Sequence, residues 1–486
     1  MGLSNRRQFI QQGALAAAAL CTNRIKAVAD VSEPGQAPEP GLASLDPSAI
    51  RRLGSQISGL LITPESAEYE SARLVFNRAF DRRPALIVRC ADASDVARTL
   101  DFVQKQNLPL AVRGGGHNRA GFGMCDGGVV IDLSRMNRVD VDPGKGIARA
   151  EAGALVRDLD QATQRYGLAT TSGGCPTVGI AGLTLGGGEG FLMSKYGAAC
   201  DNLLSAQLVT VDGSQAEASH TSNPDLFWAI RGGGGNFGVA TALEYQLHPV
   251  TTVLAGTLRY PPGQITELLL GFVKLIAAAP DELNIVAQVL PSEKGAGFSV
   301  LFFHAGDQSQ GRDLLRNWRA LKPQEDTVRE TSYLETQANI NPYAAVAHFQ
   351  TDVVVPEFNT MVIEAITTAA DNAPPNTRVF IVPIYGAVTR IPVSDTAFAL
   401  RQPGYEVDIM GRWNTPAEKA SAVQWVKALQ SKLQPLARGL YVNQLGETSN
   451  DLVRAGYGPN YARLAEIKKK YDPGNLLRLN QNITPA

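Results

Sequence analysis

The sequence predicts an α+β protein of two domains, on three observations. Short apolar runs alternate with helix-like segments over the first half of the chain. Glycine-rich loops follow several of these runs and disappear after Pro249. From residue 251 to about 430, apolar runs alternate with helix-like stretches, which indicates a separate antiparallel sheet backed by helices. A chain of 486 residues with 44% hydrophobic content is long enough to bury two such cores.

The elements of the first domain can be placed in chain order. Apolar runs predict four strands, at 85–88, 110–112, 129–133 and 208–211. Ser94 is expected to cap a helix that continues to Gln106. Residues 155–166 form an amphipathic helical pattern. The dipeptide Asp212-Gly213 between an apolar run and a polar strand predicts a hairpin.

The second domain and the C-terminus continue the alternation. Apolar runs at 285–290 and 298–303 predict strands, and the segments 264–279 and 309–321 predict helices. A last helix-like segment, 459–470, precedes an asparagine-rich tail that we expect to return to the first domain. Internal repeats and low-complexity tracts are absent from the sequence.

The N-terminus has the pattern of an export signal. Arg6 and Arg7 form a twin-arginine pair, followed by the mildly apolar stretch 13–20. Basic residues after that stretch favour twin-arginine export of a folded protein over the general secretory route. We expect a signal peptide over 1–29, a linker over 30–44 and a periplasmic or secreted mature protein that depends on the twin-arginine export machinery. The alternative is a short N-terminal helix.

Charge and cysteine content narrow the function classes. The 45 basic residues balance 46 acidic ones, so no electrostatic footprint for nucleic acid is present, and a small-molecule substrate fits better. After the N-terminal segment no stretch is apolar for long enough to span a bilayer.

Cys90, Cys125 and Cys200 have no CxxC spacing and no ligand-like histidine partner, which argues against a metal site. We expect them to be buried, with disulfide pairing as the open alternative.

Two glycine-rich loops carry the residues of greatest chemical interest. His117 ends the run 113–117, and Cys175 lies in the loop 173–179. Glycine clusters expose backbone N–H groups that can close around a diphosphate, and the residue ending such a loop is held in place. Each feature also has a purely structural interpretation. His117 could be a structural histidine, Cys175 a buried free thiol, and the glycines could only make turns.

These motifs resemble the berberine bridge enzyme-like FAD-linked oxidases, whose FAD fold is of the vanillyl-alcohol oxidase (PCMH) type. The resemblance covers roughly residues 80–250 and the last forty or so. It rests on these segments: 175–190, 194–197, 201–203, 225–238, 460–464, 471–475 and 480–482.

The resemblance implies a domain organisation. A two-subdomain FAD-binding domain spans residues 45–250, with its PCMH-type core at about 80–250. An antiparallel-sheet substrate domain over 251–430 covers the isoalloxazine ring, and a C-terminal segment, 431–486, returns to the FAD domain.

The resemblance also implies bicovalent FAD. His117 would bond to the flavin C8 methyl carbon and Cys175 to flavin C6, an attachment that leaves the ring open to bulky substrates. Many bacterial relatives of this type have an apolar residue at the cysteine position, so the thiol indicates the bicovalent subgroup. The other implied cofactor-binding residues are Arg113, Gly114, Gly115, Gly116, Asn118, Thr177, Val178, Gly179, Gly182, Gly186, Gly187, Gly188, Gly190, Tyr196, Asn202, Gly238, Val239, Asn443 and Asn480.

Two tyrosines are the candidate catalytic residues. Tyr441 matches the position of a catalytic tyrosine in carbohydrate-oxidising members of the family. A phenol with pKa near 10 is a poor base, so a nearby positive charge or a hydrogen-bonded partner would have to lower that pKa. The alternative for Tyr441 is a packed strand tyrosine. Tyr385 stands where relatives carry a glycine, on a strand expected to face the flavin.

The function implied is an exported FAD-dependent oxidase. Tyr441 would deprotonate a substrate hydroxyl, hydride would pass to flavin N5, and dioxygen would reoxidise the flavin to give hydrogen peroxide. A saccharide is the favoured substrate. The alternatives are oxidation of a secondary metabolite or alkaloid-like amine, a dehydrogenase with an acceptor other than oxygen, and a flavoprotein kept for binding.

Overall fold

A computed structural model describes residues 46–292, 295–339, 345–447 and 449–486, so the predicted signal peptide and linker lie outside the described residues. The α-helices are Pro47–Gln56, Tyr69–Ala72, Ala93–Gln106, Val156–Gln164, Ile180–Leu185, Met193–Tyr196, Pro224–Ile230, Ile265–Ile276, Gln308–Arg319, Tyr333–Asn339, Thr360–Asp371, Pro416–Leu433, Asn450–Tyr457 and Tyr461–Tyr471. Short 3-10 helices occupy Ala199–Asp201, Gly386–Arg390, Gln434–Leu436, Val442–Gln444 and Gly458–Asn460.

The first sheet has four strands, in the order Leu60–Ile62, Leu86–Arg89, Val129–Asp132 and Leu110–Arg113. The last three strands pair in parallel, and every residue of the central one is buried. At the end of the central strand the carboxylate of Asp132 accepts a hydrogen bond from Arg113 at 2.6 Å. This buried ion pair fixes the point at which the His117 loop begins, because Arg113 is the last residue of its strand.

The second sheet is antiparallel, in the order Val139–Asp142, Ile147–Glu151, Val239–Gln246, Leu203–Val209 and Gln215–Ser219. A two-stranded pair joins Leu168–Ala169 to His248–Pro249. One continuous core links the first two sheets with their helices, and it includes Val88, Val103 and Leu243. Leu464 and Ile483 belong to the same core, so the last helix and the tail pack on this part of the molecule.

The largest sheet is antiparallel and runs in the order Glu325–Asp326, Thr252–Tyr260, Gly297–His304, Leu283–Leu290, Thr377–Ile384, Gly404–Trp413 and Ala347–Val355. The short strand Arg329–Ser332 also pairs with Thr252–Tyr260. One face packs its alternate residues, such as Ile381 and Ile409, against the helices Ile265–Ile276, Thr360–Asp371 and Pro416–Leu433. The residues between them, such as Phe380 and Asp408, point to the other side because side chains alternate along a strand.

The structure confirms the predicted α+β fold class, the hairpin at Asp212-Gly213 and the predicted strands to within a few residues. The predicted cap at Ser94 is wrong. Asp92 is the N-cap of the helix Ala93–Gln106, because its carboxylate accepts the backbone N–H of Asp95 at 3.0 Å.

Cys90, Cys125 and Cys200 are buried free thiols, as expected. The domain boundaries given above stay predictions. Among the described residues, no helix is both long and apolar enough to cross a bilayer.

Candidate active site

The loops that carry His117 and Cys175 cross at a contact between two glycines. A Cβ on Gly115 would lie 2.2 Å from the backbone nitrogen of Gly179, and a Cβ on Gly179 would lie 2.3 Å from the nitrogen of Gly115. Any larger residue at either position would push the loops apart. The crossing therefore holds the two predicted attachment residues at one place, although they are 58 positions apart in the chain.

A single hydroxyl lies between the two attachment side chains. Thr177 Oγ1 is 3.0 Å from His117 Nε2 and 3.4 Å from Cys175 Sγ. The His117 ring stacks on Phe76, with 4.0 Å between the ring centroids. Burial, and to a lesser extent the positive charge of Arg119, lowers the pKa of His117 to about 3. The imidazole is therefore neutral at physiological pH, which is the form that can act as a nucleophile.

One cavity of about 420 Å³ extends from these loops to the inner face of the largest sheet. Its volume is in the usual range for ligand pockets. Of the residues predicted from sequence, the cavity is lined by Arg113, Gly114, Gly115, Gly116, His117, Asn118, Cys175, Val178, Gly179, Gly182, Gly190, Gly238, Val239, Tyr441, Asn443 and Asn480. Most of the site residues predicted from the sequence thus line one cavity.

The structure places Gly186, Gly187 and Gly188 behind this cavity and not on its wall. A Cβ on Gly186 would lie 2.1 Å from Asn443 Oδ1, and a Cβ on Gly187 would collide with the ring of Phe398. Gly187 and Gly188 also have φ of 118° and 88°, a backbone conformation that favours glycine. These glycines allow the loop to pack closely under the cavity.

Tyr196 and Asn202 also lie away from the cavity wall. The amide of Asn202 donates to the backbone carbonyls of Tyr196 and Ala198, and its Oδ1 is 2.7 Å from His248 Nε2. The rings of Tyr196 and His248 stack at 3.9 Å. In this structure the two predicted residues join the segment 196–202 to His248. Thr177 is set back from the cavity as well, and acts through the contacts described above.

Tyr441 lines the cavity, but its surroundings differ from those expected. Its phenol oxygen accepts hydrogen bonds from Gly188 N and Asn443 Nδ2, each at 3.0 Å. Burial nevertheless raises the pKa of Tyr441 well above 10, and the carboxyl group of Glu189 raises it further. The lowered pKa that a tyrosine base requires is therefore absent, and Tyr441 is a neutral phenol at physiological pH.

Tyr385 does not line this cavity. It lies one residue beyond the strand Thr377–Ile384, and its hydroxyl donates to the backbone carbonyl of Leu283. Burial raises the pKa of its phenol. The structure corrects the expectation that Tyr385 lies on a strand, since the strand ends at Ile384, and its role toward the flavin stays a prediction.

The sequence prediction missed a group of buried carboxyl groups on and beside the cavity wall. Glu189 and Asp408 line the cavity, and Glu406 and Asp352 lie fully buried beside them. Asp352 and Asp408 are direct partners on adjacent strands. Burial raises the pKa of Asp408 from 3.8 to about 7, and it raises the pKa values of Glu406 and Asp352 well above their ordinary values.

Asp408 is therefore poised to exchange a proton near neutral pH. Gln350 Nε2 donates to its Oδ2 at 2.7 Å, and its Oδ1 has no hydrogen-bond partner among the described residues. A signal was present in the sequence, since Glu406 and Asp408 interrupt an otherwise apolar strand at alternate positions. That pattern is also typical of a strand with one side facing solvent. Only the packing shows that these two carboxyl groups are buried.

The cavity fits a long polar cofactor such as FAD. A Cβ added to Gly182 or Gly235, both on its wall, would have no atom of the described chain within 4 Å, so the backbone there faces open space. At the C-terminal end, Asn480 Oδ1 and Gln481 Nε2 are buried without partners in the part of the chain that the structure describes, which indicates a ligand with hydrogen-bonding groups. FAD would be held by the two crossing loops and by the side-chain amides of Asn480 and Gln481.

Comparison with known proteins identifies the family. Residues 84–219 match the family described as "FAD binding domain", and residues 440–484 match "Berberine and berberine like". The (R)-6-hydroxynicotine oxidase of Paenarthrobacter nicotinovorans is 31% identical over 458 residues, which cover 88% of this chain and 97% of that protein.

Solved structures have the same fold. The 6-hydroxy-D-nicotine oxidase from Arthrobacter nicotinovorans superposes with a TM-score of 0.82 at 29% identity, covering 88% of this chain and 98% of that one. The xylooligosaccharide oxidase from Myceliophthora thermophila C1 has a TM-score of 0.81 at 24% identity, covering 90% and 99%, and supports the fold alone. The chain therefore belongs to the berberine bridge enzyme-like family of FAD-linked oxidoreductases, with its PCMH-type FAD-binding fold.

Proposed function

We propose that this enzyme oxidises a hydroxyl-bearing small molecule, with a saccharide favoured, and passes the electrons to dioxygen to give hydrogen peroxide. One observation carries the proposal. A single cavity is lined both by the His117 and Cys175 loops and by the titratable carboxyl of Asp408. Bound FAD would supply the hydride acceptor and the reaction with oxygen. The protein would supply orientation and proton transfer.

Asp408 is the residue we assign to proton acceptance. A general base works best when its pKa is close to the working pH, and the pKa of about 7 for Asp408 meets this condition. The phenol of Tyr441 keeps its proton and can donate a hydrogen bond to substrate, while Gly188 and Asn443 fix its oxygen. This division of roles replaces the tyrosine base expected from the sequence.

An alkaloid-like amine is the second candidate substrate, and a specific observation favours it. The carboxyl groups of Glu189 and Asp408 face the cavity together with the apolar side chains of Phe380, Val382 and Met410. Such a wall suits an amine with an aromatic or aliphatic body. A relative at 31% identity also has a name that denotes an oxidase of 6-hydroxynicotine.

A peroxide-detection screen tests the proposal. The panel contains monosaccharides, oligosaccharides, polyols, aromatic alcohols and secondary or tertiary amines, with oxygen uptake followed in parallel. Peroxide formed with a hydroxyl substrate supports the first candidate, and peroxide formed only with amines supports the second. Flavin reduction without oxygen uptake would instead indicate a dehydrogenase, and the absence of any turnover would favour a binding role.

We also propose bicovalent attachment of the FAD through His117 and Cys175. The proposal is supported by the neutral imidazole of His117 and by the shared hydroxyl of Thr177 between the two side chains. Acid precipitation of the purified protein should leave the yellow flavin on the polypeptide. Free FAD in the supernatant would contradict it.

Export by the twin-arginine route remains a proposal based on Arg6 and Arg7. Replacing both with lysine should retain flavin-loaded precursor in the cytoplasm. The unmutated precursor and the single Arg7→Lys variant serve as comparisons in cell fractionation. Exported enzyme that persists after the double replacement would argue for another route.

A further inference from the structure

Thr177 has contacts that the oxidase reaction does not require. Its hydroxyl lies between the two attachment side chains, 3.0 Å from His117 Nε2 and 3.4 Å from Cys175 Sγ. The backbone around it is fixed, because Val178 N donates to Cys175 O and the neighbouring Gly179 packs on Gly115. One hydroxyl thus contacts both nucleophiles from a rigid position.

We propose that Thr177 is a positioning residue for both flavin attachments, an inference that rests on the proposed bicovalent FAD. A hydroxyl has one hydrogen to donate and two lone pairs to accept with. If Oγ1 accepts the Nε2 hydrogen of His117, the imidazole is fixed in the tautomer that leaves Nδ1 with a free lone pair. The same hydroxyl then donates its own hydrogen to the sulfur of Cys175, which fixes the position of that sulfur.

The chemistry of attachment balances with this arrangement. Each attachment breaks one C–H bond of the flavin and one N–H or S–H bond of the protein, and forms one C–N or C–S bond. The two electrons and two protons released in each case reduce one dioxygen to hydrogen peroxide. Nδ1 of His117 forms the new bond, and its Nε2 hydrogen is lost through the Thr177 hydroxyl.

A route for that proton is present in the structure. His117 and Thr177 also line a second hollow, together with the half-exposed side chain of Arg157. Water that enters this hollow can take up the proton from the Thr177 hydroxyl. The proton therefore need not cross the substrate cavity.

The test removes the hydroxyl and keeps the shape. Thr177→Val is isosteric, and Thr177→Ser restores the hydroxyl on a smaller side chain. Thr170→Val is the matched control, because Thr170 is buried in the first domain and its hydroxyl has no hydrogen-bond partner among the described residues. Each protein is produced in a riboflavin-auxotrophic host, riboflavin is then supplied, and samples are taken over time.

The readout is covalent flavin on each side chain, not activity. Acid-resistant flavin fluorescence gives total attachment, and peptide mass spectrometry gives attachment at His117 and Cys175 separately. In Thr177→Val both attachments should slow by about 10²-fold, the lower end for a positioned proton-transfer group. Thr177→Ser should recover most of the rate, and Thr170→Val should match the unmutated enzyme.

The outcomes separate the two proposals. No flavin on Cys175 in the unmutated enzyme would overturn bicovalent attachment itself. Bicovalent flavin in the unmutated enzyme, with the same time course in Thr177→Val, would overturn the role of Thr177 alone. If Thr177→Val does not fold, the smaller Thr177→Ala replaces it in the same comparison with Thr177→Ser.

Discussion

Replacing Asp408 by asparagine should increase the stability of this enzyme at alkaline pH while it lowers activity. Asp408 is 5% exposed, and burial raises its pKa from 3.8 to about 7. A rise of about three pKa units corresponds to about 4 kcal/mol, at roughly 1.4 kcal/mol per unit. Asparagine has nearly the same shape, and its oxygen can still accept the hydrogen bond from Gln350. The variant therefore removes the ionisation and leaves the packing.

The sign of the pH dependence follows from linkage. The unfolded chain ionises Asp408 near pH 3.8 and the folded chain only near pH 7, so the unfolded state loses its proton first as pH rises. The cost to the folded state is absent below about pH 3.8 and complete above about pH 7. The gain in Asp408→Asn should consequently be larger at pH 8 than at pH 5, by about 2 to 3 kcal/mol in the free energy of unfolding.

Urea unfolding of both proteins at the two pH values measures this difference. Stopped-flow reduction of the flavin by substrate measures the other half of the prediction, with an expected loss of roughly 10² to 10⁴-fold at pH 8. A stability difference that does not change with pH would refute the buried ionisation. Flavin reduction at an undiminished rate would show that Asp408 is not the base.

Three further predictions concern the same site and a buried ion pair near the C-terminus. Tyr441→Phe should slow flavin reduction by substrate and leave the reaction of reduced flavin with dioxygen nearly unchanged; equal rates in the first half-reaction would make Tyr441 a structural residue. His117→Ala and Cys175→Ala should each keep covalent flavin through the remaining residue, as judged by acid precipitation, and only the double variant should release it. Lys468→Met should lower the free energy of unfolding by about 3 to 5 kcal/mol, because it leaves a fully buried carboxylate without its ion-pair partner. The control Lys470→Met removes an exposed ion pair and should cost about 0 to 1 kcal/mol; similar losses in the two would contradict this reasoning.

The sequence by itself determined the fold class, the order of elements and the two loops at the centre of the site. Apolar runs predict strands such as Val129–Asp132 because burial on both faces leaves a polar position only at the strand end, where Asp132 pairs with Arg113. The glycines around His117 and Cys175 are equally informative, since the close contact of Gly115 with Gly179 admits no side chain at either position. Local requirements of this kind restrict which residue types can stand at a position, so they can be recognised in the sequence.

Tertiary structure alone decided which polar residues meet. Asp408 and Glu189 are 219 positions apart and come together only when the largest sheet packs against the loop that carries Glu189. The pKa values of Asp408 and Tyr441 depend on that burial, which is why the base we propose differs from the tyrosine predicted from the sequence. The Thr177 hydroxyl gains its place between the His117 ring and the Cys175 sulfur in the same way. The residue type gives the functional group of a side chain. Its pKa and its contacts are set by the elements that pack around it and exclude water.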